Sequence, residues 1–302
     1  MNRISTKLIY LATIFSTVIG CKSRQASMES NVEYFEPNIT SQCDFDSKKL
    51  VMTFDDGPAE NTLAIANHLN DFGMSNYGKP IKGTFFVRGD RIAKPSGKRI
   101  MEQVAALGHR IGNHGTTHRN LDSIHVRVAR GEDKNDGFNK SMEQVKKEIM
   151  DTQWRIEDVV ARSGEQFTLF RAPMGRLHGT RAKWLDRQGD MKNLVGTINW
   201  DYGGAISGRV TADFKCWNKG MEPKECAQNL MEEIETKECK NSNGESITPK
   251  GGIVLMHDDR PLTIDMVKEF LALALQNGYS FADLTDVPRI RDILTSEGYS
   301  VR

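Results

Sequence analysis

Apolar residues fall along the chain in two alternating patterns: short, nearly continuous runs, and longer stretches in which they return every three or four positions. The runs predict strands at 50–54, 83–87, 109–113, 167–171, 194–201, 253–257 and 280–283. The longer stretches predict helices at 62–72, 96–107, 141–160, 180–187 and 264–277. Repeated strand and helix alternation implies an α/β protein built on a parallel sheet or barrel. Polar residues gather at the ends of several strands, which favours a barrel with one shared active face. Two stretches interrupt the pattern, 122–139 and 203–250, both rich in charge, Gly and Asn. They read as loop insertions over the barrel, where differences in substrate preference are carried.

The start of the chain departs from this pattern. Arg3 and Lys7 precede a mostly apolar stretch, 8–19, that is too short for a typical membrane span, so residues 1–21 read as a targeting segment. It ends in Val18-Ile19-Gly20-Cys21, which resembles the lipobox of bacterial lipoproteins, with Cys21 the lipidated residue; an ordinary secretory cleavage site is the alternative. Lys22 in place of Asp points to the outer membrane. Residues 22–47 are polar and without a convincing period, as expected of a tether, and the catalytic domain is expected to span 48–302. The expected location is therefore the bacterial cell envelope, with the membrane reached through a lipid anchor.

Export changes the reading of the cysteines. Cys43, Cys216, Cys226 and Cys239 form an even set in an oxidising compartment and predict two disulfides. Spacings of 10 and 13 residues, without any Cys-x-x-Cys pair, oppose a zinc site. Within 216–239 charge is high and apolar periodicity low, so a bridge there would hold an otherwise loose loop. The connectivity stays open.

Composition narrows the partners. The 302 residues are 38% hydrophobic, enough for one large domain or two small ones. With 41 Lys and Arg against 40 Asp and Glu, no global field favours nucleic acid. The sequence carries no signal for an oligomeric state.

The candidate chemistry sits where apolar runs stop. Thr53-Phe54-Asp55-Asp56-Gly57-Pro58 ends a strand in two carboxylates and breaks it at once, leaving both acids on the rim of the sheet. Neighbouring strand residues point to opposite faces, so one acid can bind a metal while the other serves as a base. His114 and His118 follow the strand at 109–113 and are spaced to share one face of a helical turn. Taken alone the pair is as readily structural; on the same rim as Asp56 it completes a site of two imidazoles and one carboxylate. Such a set leaves positions open for water and substrate, as catalytic zinc requires.

These motifs together resemble the polysaccharide deacetylases, carbohydrate esterase family 4, with the NodB homology domain, over about 48–287. The resemblance implies a distorted (β/α) barrel. It implies Asp55 as general base, and Asp56, His114 and His118 as ligands of zinc or another divalent metal such as cobalt or nickel. Gly115 stands where the family has Ser or Thr. Arg171-Ala172-Pro173-Met174-Gly175 is similar to the third motif, in which Arg171 orients the base and Pro173 belongs to the substrate groove; Met174 replaces an aromatic residue. Leu255-Met256-His257-Asp258 resembles the fifth, with His257 the general acid and Leu255 in the wall that receives the acetyl methyl. The fourth motif departs: Asn199-Trp200-Asp201-Tyr202-Gly203-Gly204 supplies Asp201 for the first Asp of Asp-x-x-Asp-Trp and nothing for the second. Either Asp201 or a residue of the 203–250 insertion would then tune His257, with Trp200 or Tyr202 filling the groove.

The implied activity is hydrolysis of N-acetyl groups on a glycan, with peptidoglycan N-acetylglucosamine or N-acetylmuramic acid expected for an envelope lipoprotein, and chitin oligomers or acetylxylan as alternatives. A catalytically silent glycan-binding lipoprotein of the same fold is the rival, motivated by the altered fourth motif. A serine esterase is opposed by the lack of a Gly-x-Ser-x-Gly elbow.

Overall fold

The structure, a computed structural model, describes residues 33–41, 43–127, 133–161, 166–204, 210–241 and 243–299. The targeting segment with Cys21 lies outside them. Along the chain come β1 (Phe35–Ile39), β2 (Lys49–Asp55), α1 (Thr62–Tyr77), β3 (Gly83–Val87), α2 (Gly89–Ile92), α3 (Pro95–Ala106), β4 (Arg110–Asn113) and α4 (Lys134–Val160). Then follow β5 (Thr168–Leu169), α5 (Gly179–Asp186), β6 (Leu194–Ile198), α6 (Asp213–Asn218), α7 (Pro223–Thr236), β7 (Cys239–Lys240) and β8 (Ser246–Ile247). The chain closes with β9 (Gly252–His257), α8 (Thr263–Gln276), β10 (Ser280–Phe281) and α9 (Pro288–Ser296).

β2 is the centre. It pairs in parallel with β3 on one side and β9 on the other, β10 lies against its start, and β3 continues to β4. β1, β6 and β5 form a second parallel sheet. Two isolated parallel bridges, Asn113 to Phe170 and Tyr202 to Val254, join the sheets edge to edge. The result is the distorted (β/α) barrel expected, incompletely hydrogen-bonded at its seams. Helices cover the strands outside, so β2, β3 and β9 are buried on both faces and read as apolar runs instead of alternating ones. Register does the rest: Asp55 lies opposite His257 and Val87 opposite Asn113, so the C-terminal strand ends finish at one level.

Three expectations change. β1 lies inside the stretch read as a tether; Phe35 and Ile39 are buried and pair against β6, so the fold takes in residues well before 48. The described part of the 203–250 stretch is built into regular elements instead of a loose insertion: it holds α6, α7 and the antiparallel β7–β8 pair. In α7, Cys226, Ala227, Leu230, Met231 and Ile234 form a buried stripe that packs along α8, whose Met266, Val267, Phe270, Leu271 and Ala274 repeat the same spacing. Each large apolar side chain so buried contributes about 1.5–3 kcal/mol. Likewise α4 begins at Lys134, within the other expected insertion. The cysteines form the two expected disulfides, paired Cys43 to Cys239 and Cys216 to Cys226. Among the described residues no helix is long and apolar enough to cross a membrane.

Candidate active site

The rim above β2, β4, β5 and β9 gathers the acids, imidazoles and guanidinium singled out in the sequence. Asp55, the last residue of β2, accepts a 2.7 Å hydrogen bond on Oδ1 from Arg171 Nη1. Arg171 is fully buried just after β5 and is itself fixed on every side. Its Nη1 also donates to Thr53 Oγ1 at 2.9 Å, its Nε to the Ile198 carbonyl at 2.9 Å and its Nη2 to the Asn199 carbonyl at 3.0 Å. The guanidinium carbon lies 4.2 Å from the Phe86 ring centroid. A charge-assisted bond from so constrained a donor gives Asp55 one orientation.

Asp56 turns away from its neighbour because its backbone enters the left-handed region, φ 75°. Gly57 follows under a tight constraint: a Cβ there would sit 2.1 Å from Oδ2 of buried Asp258. Asp56 Oδ1 is buried and has no hydrogen-bond partner among the described residues, while His118 Nε2 lies 3.4 Å and His114 Nε2 3.9 Å from it. One ligand atom from each of the three residues falls within 4.8 Å of the others. His114 Nδ1 donates to the Arg171 carbonyl at 2.8 Å, which fixes the ring with Nε2 as the nitrogen that faces the cluster. Burial holds the His118 pKa below its ordinary value, favouring the neutral ring that ligates. Burial pushes the Asp56 carboxyl up, but Arg88 and the neighbouring histidines His114, His118 and His257, which carry charge at the acid pH where a carboxyl titrates, outweigh it and lower its pKa. An orphaned buried oxygen facing two imidazole nitrogens is the donor set of a divalent transition metal, and the residues fit one.

His114 and His118 do not share a helical turn, as their spacing suggested. They lie on a loop with Gly115 at φ 70° and His118 at φ 59°. That loop is tied down at each step. Gly115 N donates to Asn113 Oδ1, Thr116 Oγ1 to the Glu148 carbonyl of α4, and Thr117 N and Oγ1 both to Glu148 Oε1. A non-glycine residue at positive φ costs of order 1 kcal/mol or more and persists where its surroundings over-determine it. Pro173 packs against Gly115, 3.4 Å from where a Cβ would stand.

Across the rim, His257 ends β9 with its side chain 14% exposed. Its partner is Asp213, the first residue of α6. His257 Nδ1 bonds Asp213 Oδ1 at 2.8 Å and His257 N donates to Oδ2 at 2.6 Å, with Thr263 Oγ1 adding a third bond at 3.2 Å. Burial would lower the imidazole pKa, but the Asp213 carboxylate, helped by Asp55 and Asp56, overrides it and raises the pKa to about 9. Phe214 stands edge-on to the ring at 5.4 Å.

Asp201 therefore does not tune His257. Its Oδ2 accepts backbone N–H groups of Ile253 at 2.7 Å and Ser41 at 3.3 Å, which makes it a clamp between β1, β9 and the chain leaving β6. The partner comes from the 203–250 stretch, the other possibility raised by the sequence; an Asp followed by an aromatic residue, Asp213-Phe214, is the signal that marks it. Leu255 is buried on β9 two residues before His257, on the same face of the strand. The indole of Trp200 lies 5.7 Å from the Arg171 guanidinium and presses against Gly175 and Gly204. Trp200 also borders a cavity of about 250 Å³ on the barrel flank, with Asn38, Lys237 and the Cys43 to Cys239 bridge.

Residues 43–192 match the family model described as polysaccharide deacetylase. A peptidoglycan-N-acetylglucosamine deacetylase of Bacillus cereus is 24% identical over 257 residues, 84% of this chain and 94% of that protein. Among solved structures, the peptidoglycan deacetylase PdaC from Bacillus subtilis is similar with a TM-score of 0.52 at 21% identity, covering 83% of this chain and 95% of that one. A pseudoenzyme of carbohydrate esterase family 4 from Bacillus anthracis has a TM-score of 0.51 at 18% identity, covering 80% and 65%. At these identities the structural likeness bears on the fold alone.

Proposed function

Because the chain belongs to the polysaccharide deacetylase family, we propose that it is a metal-dependent hydrolase removing N-acetyl groups from cell-envelope peptidoglycan, at N-acetylglucosamine or N-acetylmuramic acid. The observation that carries this reading is the opposition, on one rim, of an Arg171-held Asp55 and an Asp213-held His257, with Asp56, His114 and His118 beside them. Asp56, His114 and His118 would hold the metal. Bound there, a divalent ion such as zinc supplies polarisation of the acetyl carbonyl and a water acidified toward pH 7.

The chain's own groups do the proton work. Asp55, fixed by Arg171, takes a proton from the attacking water as its oxygen bonds to the acetyl carbon. His257, holding its proton against Asp213, delivers it to the nitrogen as the C–N bond breaks, and acetate and the free amine leave. A carboxylate base and an imidazolium acid on opposite sides of the scissile bond is the division of labour general acid–base catalysis needs. Leu255 and Phe214 supply apolar surface beside His257 for the acetyl methyl, and Pro173 and Trp200 flank Arg171.

The rival reading of a silent glycan binder rested on the altered fourth motif. Asp213 fills the place that motif left open, and binding alone requires neither a base nor an acid. The two disulfides agree with export, and the lipid anchor at Cys21 is part of the proposal. Acetate release from peptidoglycan and N-acetylglucosamine oligomers, with zinc or cobalt added, tests it: Asp55→Asn should bring the rate to background. Release from neither substrate, or full activity in Asp55→Asn, refutes the proposal.

A further inference from the structure

Asp213 has an unusual seat for a group on which the acid depends. It opens α6, a helix of 6 residues, far below the length of about 12 at which an isolated helix becomes stable. Asp213 Oδ1 accepts the N–H of Phe214, and the Ala212 carbonyl accepts those of Lys215 and Cys216, but so short a turn needs a further hold from outside itself. Three positions on, Cys216 is bridged to Cys226 in the first turn of α7. Both cysteines are wholly buried, in the cluster that contains Tyr202, Leu230, Val254 and Met256. α7 packs along α8, and α8 begins with Thr263, whose hydroxyl donates to Asp213 Oδ2. The bridge thus fastens the Asp213 turn to the same helix pair that carries its other anchor.

We infer that the Cys216 to Cys226 disulfide is a positioning element of the acid half of the site: it keeps Asp213 on His257, and the chain is competent only with that bridge closed. Among the described residues the charged groups that act on His257 are Asp213 from α6, Asp55 at the end of β2 and Asp56 just after it; Phe214 adds an apolar edge. When a dithiol reductant supplies two electrons and two protons, the S–S bond breaks to two thiols and the reductant closes to its own disulfide. α6 then lacks its covalent tie to α7, and a buried imidazolium that loses its nearest carboxylate gives up its proton. The consequence for turnover rests on the deacetylase reading; the consequence for His257 does not.

The test is an NMR titration of the His257 ring in the metal-free protein, alongside the pH dependence of acetate release. Wild-type His257 should keep its proton to about pH 9. In Cys216→Ser/Cys226→Ser the ring should titrate at least tenfold more readily, and the alkaline limb of the rate profile should fall by the same factor. Cys43→Ser/Cys239→Ser, which opens the other bridge, should leave the His257 titration in place. In an Asp213→Asn background, opening the Cys216 bridge should add no further change, as expected of two groups acting in series. If the serine pair does not fold, Cys216→Ala/Cys226→Val keeps the apolar volume and serves as the comparison. A folded bridge variant with a wild-type His257 titration and rate profile overturns the inference. Wild-type protein that releases no acetate overturns the deacetylase reading instead and leaves the His257 titration to decide the role of the bridge.

Discussion

Replacing Asp213 by Asn removes one negative charge from the imidazole it faces while keeping an oxygen for Nδ1–H to bond. Burial alone pushes the His257 pKa down, and Asp213 is the first of the groups that lift it to about 9. Without that charge the ring should fall to its ordinary 6.5 or lower, a change worth about 3 kcal/mol. In the metal-free protein the protonated fraction at pH 8 then drops from about nine-tenths to about one-thirtieth and at pH 6 changes by less than about twofold, so kcat with zinc should fall steeply on the alkaline side and little at acid pH. The sign for stability is set by the same shift. A raised histidine pKa stabilises the fold fully below about pH 6.5, and the contribution disappears as pH rises through about 9. Asp213→Asn should therefore cost most stability at acid pH and least above pH 9. The assay is acetate release across pH 5–10 with zinc present, paired with urea unfolding at the two ends. Asp201→Asn is the control, because its oxygen can still accept from Ser41 and Ile253 and it has no bond to His257. An alkaline limb that stays in place in Asp213→Asn, or that moves in Asp201→Asn, would refute the assignment.

Other consequences can be measured directly. Dialysis against a chelator should abolish turnover and lower the melting temperature, and zinc at a hundred times its Kd should restore about 2.7 kcal/mol of stability, a gain that Asp56→Ala or His118→Ala removes. Arg171→Met leaves Asp55 buried without its counter-ion and should cost about 3–5 kcal/mol in denaturant unfolding; a loss under 1 kcal/mol would mean that the ion pair does not hold the rim together. Glu148→Ala frees the loop between His114 and His118 and should weaken cobalt binding about 10-fold, read from the metal's visible absorption, with the fold intact by circular dichroism.

What could be read from the sequence follows from how each element is stabilised. β2, β3 and β9 are buried on both faces, so their apolar runs are continuous and stand out, and the polar residues that end them mark the rim. β1 was hidden because its sequence, Phe35 to Ile39, contains Pro37 and Asn38 and makes sense as a strand only against β6. α7 was hidden by dilution: its apolar stripe is regular, but charged residues on the solvent face lower the mean hydropathy of the segment that holds it. The spacing of His114 and His118 suits a helix as well as a loop, and it is Gly115 at positive φ, with Glu148 from a distant helix, that decides for the loop.

The fourth motif shows the same limit more sharply. Its two acids have separated: Asp201 remains at the strand end, where backbone N–H groups of Ser41 and Ile253 turn it into a structural clamp, while the carboxylate that serves His257 comes from Asp213. Proton transfer places its demand on atoms, here an oxygen 2.8 Å from Nδ1, and not on the number of residues between them. Spacing along the chain therefore remains a guide to catalytic geometry only while the carrying element is continuous with its strand. Here Asp213 rides on a separate six-residue helix, so its position depends on what fastens that helix, and the buried Cys216 to Cys226 bridge is the covalent fastening the chain provides.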